Sequence, residues 1–169
     1  MHRLGAVRLS SLTLVLPAHN EAVNLRWLLP DAAAKLAGIA ERYDVVLVDD
    51  GSDDGTSTVA TEAAAAAGLE LTIVRHPTRE GYGAAVGDGL RAAHGDTVAF
   101  TDADGQFDVA DLALLVPLLR NADLVGGWRI ERQDPAARSI MSGTFNLAVR
   151  AVLGLRIARA DHANRRAQR

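Results

Sequence analysis

The sequence predicts an α/β domain: a mostly parallel sheet with helices on both faces. Three observations carry this. Short apolar runs of strand type alternate with helical patterns from residue 12 onward. The 169-residue chain is 49% hydrophobic, which suits one domain with its own core. Acidic and polar clusters recur where the apolar runs end, as expected when parallel strands deliver their loops to one edge of a sheet.

Leu12–Leu16 reads as the first strand. Asn20 is placed to cap the helix that follows, which runs to about Ala40 and is expected to bend near Pro30. Val45–Val48 is the second strand. Gly55-Thr56 opens an Ala-rich helix to Ala67, and Gly68 closes it. Leu69–Val74 is the third strand, Gly83–Ala93 the third helix and Thr97–Thr101 the fourth strand. A helix over Val109–Leu119 contains Pro117, which favours an early end. Leu124-Val125 forms a short strand.

Zero cysteines exclude a disulfide scaffold and any thiolate metal site. No run of 18 apolar residues exists, so no segment reads as membrane-spanning. The stretch from Met1 to Leu16 imitates a short signal peptide, but a buried first strand has the same apolar content and is the preferred reading. The net charge of −3 hides an asymmetry. Residues 1–128 hold 9 Lys and Arg against 18 Asp and Glu, whereas residues 129–169 hold 9 Arg against 3 acids. An arginine-rich tail on an acidic body suits an anionic partner: phosphate, anionic lipid or nucleic acid. A solvated basic helix is the plain alternative.

Three strand ends carry the chemistry. They are Pro17-Ala18-His19-Asn20-Glu21, Asp49-Asp50-Gly51-Ser52-Asp53-Asp54-Gly55-Thr56 and Thr101-Asp102-Ala103-Asp104-Gly105-Gln106. Asp102 and Asp104, two residues apart on a turn, can share one hard divalent cation, and such cations usually also hold substrate phosphates. A solvated Asp/Gly turn is the alternative for that triplet taken alone. Gathering several carboxylates is costly without cations or hydrogen-bond donors, which favours a metal or ribose and base donors. Asp53 and Asp54 also fit a capping role for the helix at Thr56.

Other motifs fit less well. Gly81-Tyr82-Gly83-Ala84-Ala85-Val86-Gly87 looks like a dinucleotide loop, but it does not follow the first strand. A calcium loop starting at Asp102 would need Glu where Ala113 stands. A phospho-accepting receiver pocket would need its acidic pair on the first strand and a late lysine, and the one lysine here is Lys35. A nucleotidyltransferase would want a glycine-rich basic loop after the first strand, where Ala18-His19-Asn20-Glu21 stands.

Taken together, the three strand ends resemble the inverting family 2 glycosyltransferases of the GT-A fold. Asp102 to Gln106 and the later Gly127-Trp128-Arg129 resemble the dolichol-phosphate mannose synthase and polyprenyl-phosphate glycosyltransferase branch, over roughly residues 12–155. The resemblance implies a nucleotide-sugar donor, GDP-mannose or a UDP-hexose. Pro17, Ala18 and Glu21 would line its base and ribose, Val48 and Asp50 would contact the base, and Ala103 and Asp104 would face its diphosphate. Asp102, Asp104 and Gln106 would hold Mg2+ or Mn2+. Arg129 and Arg138, with Arg132 as a further candidate, would bind the phosphate of a polyprenyl phosphate acceptor, and Arg129 would act near the reaction centre. A phosphate acceptor needs no general base, since it is mostly dianionic at neutral pH; Asp104 is the candidate base for a hydroxyl acceptor. No nucleic-acid partner is implied.

Under this reading residues 12–128 bind the donor and residues 129–169 form a basic, membrane-proximal acceptor part. Met141, Phe145, Ala148-Val149 and Val152-Leu153 recur at helical spacing between basic flanks. This suits peripheral contact with anionic lipid at the cytoplasmic face of a membrane, or packing on the sheet. His19 stands where the family leads one to expect an aromatic. After Leu153-Gly154-Leu155-Arg156, Asp161 and Arg165 match the branch, but His162 and Asn164 do not, and His162–Arg169 reads as a polar tail. The acceptor part is therefore expected to be incomplete, truncated at its C-terminus. A catalytically impaired nucleotide-sugar-binding module of the same fold is the alternative function.

Overall fold

A computed structural model of the chain describes residues 8–127 and the strand at 158–160. Arg129, Arg132, Arg138, the stripe from Met141 to Leu153, Asp161, His162, Asn164 and Arg165 lie outside the described residues. Two units divide the chain between Ala113 and Leu114.

The first unit runs β1 (Leu9–Ala18), α1 (Ala22–Ile39), β2 (Ala40–Asp50), α2 (Thr56–Ala67), β3 (Leu71–His76), α3 (Tyr82–Ala92) and β4 (Thr97–Phe100). The strands pair parallel in the order β3-β2-β1-β4. The chain therefore steps outward from β1 to β3, then crosses back to add β4 on the other side of β1. That reversal leaves a crevice at the carboxyl ends of β1 and β4, where sheets of this kind take their ligands.

β1 and β2 are longer than their apolar runs. Leu9 pairs with Ala40 and Ser11 with Arg42, because a ladder uses backbone groups and tolerates polar side chains at its end. Leu14, Val15 and Leu16, with Val45 to Val48, are fully buried, each such side chain contributing about 1.5–3 kcal/mol. Alternation splits β2 between two faces. Val46 and Val48 cluster with Val15 and with Ala85 of α3. A Cβ on Gly89 would stand 2.3 Å from Val15 Cγ1, so only glycine lets α3 approach this closely. Asp49 lies on the other face, where its carboxylate receives the hydroxyl of Ser57 on α2.

Two expectations change and one strand is added, while α1 has the expected length. Asn20 does not cap α1: it adopts φ 59°, Glu21 occupies the cap position, and the first helical N–H, that of Ala22, donates to Asp54 Oδ2 at 3.0 Å. The cap comes from a neighbouring loop. α1 continues through Pro30, whose exposed position leaves water able to reach the carbonyl it cannot bond. The helix expected over Val109–Leu119 is broken into a 3-10 turn (Val109–Asp111), a single α-turn (α4, Leu112–Leu115) and a second 3-10 turn (Val116–Arg120). Pro117 cannot donate to the carbonyl four residues back, which ends α4. In the second unit β5 (Val125–Gly127) pairs parallel with β6 (Ala158–Ala160), a strand not expected from the sequence.

Candidate functional site at the carboxyl edge of the sheet

The loops after β1 and β2 are laced together. Asn20 N donates to Ser52 Oγ (3.0 Å), Asp53 N to Asn20 Oδ1 (3.1 Å) and Glu21 N to Thr56 Oγ1 (3.0 Å). Asp54 accepts Thr56 N at the start of α2, whose cap position is Gly55, and also Ala22 N at the start of α1, which was not expected. Burial pushes its carboxyl up, but the bonds from Thr56 and Ala22 outweigh this and hold it below the ordinary range.

The two adjacent acids of β2 serve opposite faces. Asp49 is 1% exposed and accepts Ser52 N at 3.0 Å as well as Ser57. Asp50 faces α3. Its Oδ1 accepts His76 Nδ1 (2.8 Å) and Glu80 N (2.7 Å), and its Oδ2 accepts Gly81 N (2.9 Å). Burial opposes the charge on Asp50, yet these three donors keep its pKa below the usual value. His76 is raised from 6.5, first by its bond to Asp50. His76 Nε2 pairs with Asp88 Oδ2 at 3.1 Å. His76, Glu80 and Asp88 bring ligand atoms within 4.8 Å of one another, but both imidazole nitrogens are already committed to carboxylates. The glycine run of α3 thus supplies an amide for Asp50 and close packing at Gly89.

A cleft of about 270 Å³ opens where these loops meet, lined by Pro17, Ala18, His19, Glu21, Asp50, Arg79, Tyr82, Ala85, Asp102, Ala103 and Asp104. Of the residues assigned from the sequence, Pro17, Ala18, Glu21, Asp50, Asp102, Ala103 and Asp104 are brought together here. Val48 is not: its side chain is fully buried in the cluster under α3. Gln106 is exposed and does not line the cleft; its N–H donates to Asp104 Oδ1 at 2.9 Å. Ala103 is 2% exposed and separates the two aspartates. His19 takes the wall position, its Nδ1 donating to the Asp50 carbonyl at 2.8 Å.

Arg79, Tyr82 and Ala85 line the cleft and were missed. They follow β3, the one strand end without an acidic motif; its position on the same edge was the available signal. The Tyr82 hydroxyl donates to Asp102, and burial, this bond and the charges of Asp102 and Asp104 push its pKa up to about 12. Among the lining residues four carboxylates (Glu21, Asp50, Asp102, Asp104) meet one guanidinium, Arg79. An all-oxygen donor set with surplus negative charge fits a hard divalent cation; Asp50 is already paired with His76 and Glu21 accepts the Asn24 amide, whereas Asp102 and Asp104 stand two residues apart on one turn.

Comparison with known proteins agrees with this geometry. Residues 13–162 match the model of Glycosyl transferase family 2. The undecaprenyl-phosphate 4-deoxy-4-formamido-L-arabinose transferase of Aeromonas hydrophila is 33% identical over 147 residues, covering 86% of this chain and 45% of that protein. The dodecaprenyl-phosphate galacturonate synthase of Rhizobium johnstonii is 34% identical over 149 residues, covering 86% and 44%. The chain thus spans a little under half the length of these relatives. A mannosyltransferase from Pyrobaculum calidifontis, solved with GDP-Man and Mn2+, superposes with a TM-score of 0.62 at 29% identity, over 75% of this chain and 36% of that one. Glucosyl-3-phosphoglycerate synthase from Mycobacterium tuberculosis, solved with phosphoglyceric acid, gives 0.60 at 26%, over 86% and 52%. With this match over most of its length, and with the cleft at the reversal of its parallel sheet, the chain belongs to glycosyl transferase family 2 and has the GT-A fold.

Proposed function

We propose that this domain transfers a sugar from a nucleotide-sugar donor, GDP-mannose or a UDP-hexose, to a polyprenyl phosphate with inversion, and that it needs Mg2+ or Mn2+. The observation that carries the reading is the cleft itself, which gathers Asp50, Arg79, Asp102 and Asp104 at the sheet reversal. The names of the relatives supply the acceptor class: both act on a polyprenyl phosphate.

The chain's residues take distinct tasks in this reading. Asp50 has one acceptor position left on Oδ2 after its three bonds, enough for one N–H of a nucleotide base. Pro17, Ala18 and Glu21 flank the base and ribose. Arg79 meets the diphosphate, countering charge that grows on the leaving oxygens as the anomeric bond breaks. Asp102 and Asp104 would hold the cation, with Gln106 supporting them from outside the cleft through its N–H to Asp104. The cation, when bound, supplies Lewis-acid stabilisation of the departing diphosphate. The acceptor's own phosphate oxygen attacks from the opposite face of the sugar, so no side chain has to remove a proton. Arg129 and Arg138 are proposed to hold that phosphate, and residues 140–153 to rest on anionic lipid at the cytoplasmic face. No helix among the described residues is long and apolar enough to cross a membrane.

Thermal shift with UDP and GDP, each with and without Mn2+, tests the donor site: stabilisation by one nucleotide in a metal-dependent manner is expected. No stabilisation by either refutes it. Transfer of radiolabelled sugar from the nucleotide so identified to polyprenyl phosphate tests the reaction. Sedimentation with neutral and anionic vesicles tests the membrane contact, which equal binding to both would rule out.

A further inference from the structure

We infer that Trp27 is a positioning residue for the Asp102–Gln106 turn, holding the candidate metal ligands in place from α1; the inference rests on the proposed metal-binding role of that turn. Gly105 lies between Asp104 and Gln106 with φ 72°, in the left-handed region. The six-membered ring of Trp27 fills the space beside it: Cη2 and Cζ2 each stand 2.4 Å from where a Cβ on Gly105 would be. The turn can carry no side chain at this point, and the indole bears directly on its backbone. Trp27 is itself 48% exposed, so this contact, rather than full burial in the core, gives the large ring its place.

α1 grips the same segment a second time. Lys35 Nζ lies 2.8 Å from Asp108 Oδ1 and also pairs with Asp31, one helical turn earlier. Asp108 in turn caps the 3-10 turn that follows, accepting Ala110 N at 2.9 Å. The turn is thus pinned at Gly105 by the Cη2–Cζ2 edge of an aromatic ring and at Asp108 by a cation, both from one helix. Asp104 sits just before the first pin, with its Oδ1 oriented by Gln106 N. A carboxylate that binds a small octahedral cation must be held in place before the ion arrives, and supports behind such ligands typically govern about 10–100-fold in metal affinity.

The test is Mn2+ affinity, read by electron paramagnetic resonance of the free ion in the presence of the nucleoside diphosphate that stabilises the chain. Trp27→Ala is expected to weaken Mn2+ binding about tenfold while metal-free nucleotide binding stays at the wild-type level, and Trp27→Phe to restore most of the affinity. In a Trp128→Phe background, Trp27 is the remaining tryptophan, and bound Mn2+ is expected to quench its fluorescence where Mg2+ does not. Wild-type Mn2+ affinity in Trp27→Ala overturns this inference alone. Loss of metal-free nucleotide binding in parallel with Mn2+ binding, without rescue by Phe, also overturns it, because the role would then be general stability. Wild-type protein that binds nucleotide but no Mn2+ refutes the metal reading itself, a result distinct from both.

Discussion

The carboxylate of Asp50 and the imidazole of His76 form a buried pair, Oδ1 to Nδ1 at 2.8 Å, with only 6% of either side chain exposed. The pair ties β2 to the end of β3, and through Glu80 N and Gly81 N it fixes the loop that carries Arg79. Its pH dependence follows from two opposite shifts. His76 is raised above 6.5, so its contribution is complete below that value and is lost as pH rises through the raised pKa. Asp50 is lowered below 3.8, so its contribution is complete above that value and is lost as pH falls through the depressed pKa. Glu80 and Asp88 also favour the charged imidazole. The unfolding midpoint is expected to fall as pH rises from about 6 to about 9, and His76→Gln to flatten that slope. Parallel slopes for the two proteins would remove His76 from this account.

Gly51→Ala should damage both stability and the cleft. Gly51 has φ 69°, and an added Cβ would stand 2.5 Å from Arg79 N and 2.6 Å from the Thr78 carbonyl carbon. Those are backbone atoms that cannot rotate away, so the loop bearing Arg79 must shift. A cost of about 2 kcal/mol or more is expected in urea denaturation, with weakened nucleotide binding by calorimetry. Unchanged affinity would show that Arg79 does not touch the nucleotide.

Asp49→Ala and Asp50→Ala should part company. Removing the Asp49 carboxylate leaves the buried Ser52 N–H and the Ser57 hydroxyl without their acceptor, which should cost about 1–3 kcal/mol. Nucleotide affinity of the folded protein should barely change, because Asp49 does not line the cleft. Asp50→Ala should lose affinity as well. Calorimetric titration on both, at a temperature where each remains folded, separates the outcomes.

Asp104→Asn should abolish the metal-dependent part of the thermal shift while leaving its metal-free part. An undiminished metal response would clear Asp104 of ligation. Asp102→Asn carries the same expectation with one addition: Tyr82 then loses its anionic partner, and its pKa should drop from about 12, readable in the ultraviolet titration of the phenol.

The strand centres and the three acidic strand ends were legible because they are local. A buried parallel strand must be an apolar run, and its loop must emerge at the sheet edge. What escaped was set by partners distant in sequence. The cap of α1 resides on Asp54, which no inspection of Asn20 could reveal. Arg79 and Tyr82 enter the cleft because β3 ends beside β2, a fact of strand order rather than of composition. Val48 follows a motif pattern, but it shares its face of β2 with Asp50 and stands two residues further from the strand end, under α3, so its side chain is in the core. The contact between Trp27 and Gly105 joins a helix to a turn that comes three strands later.

The lacing of the loops after β1 and β2 has a consequence for how this cleft can change over generations. Asn20, Glu21 and Ala22 each give a backbone N–H to a side chain of the other loop, and Asn20 takes one back. Neither segment can be exchanged alone without stranding donors in the other. Variation in the nucleotide wall should therefore arrive as matched pairs, and a chimera that transplants both loops as one cassette should fold where single grafts fail.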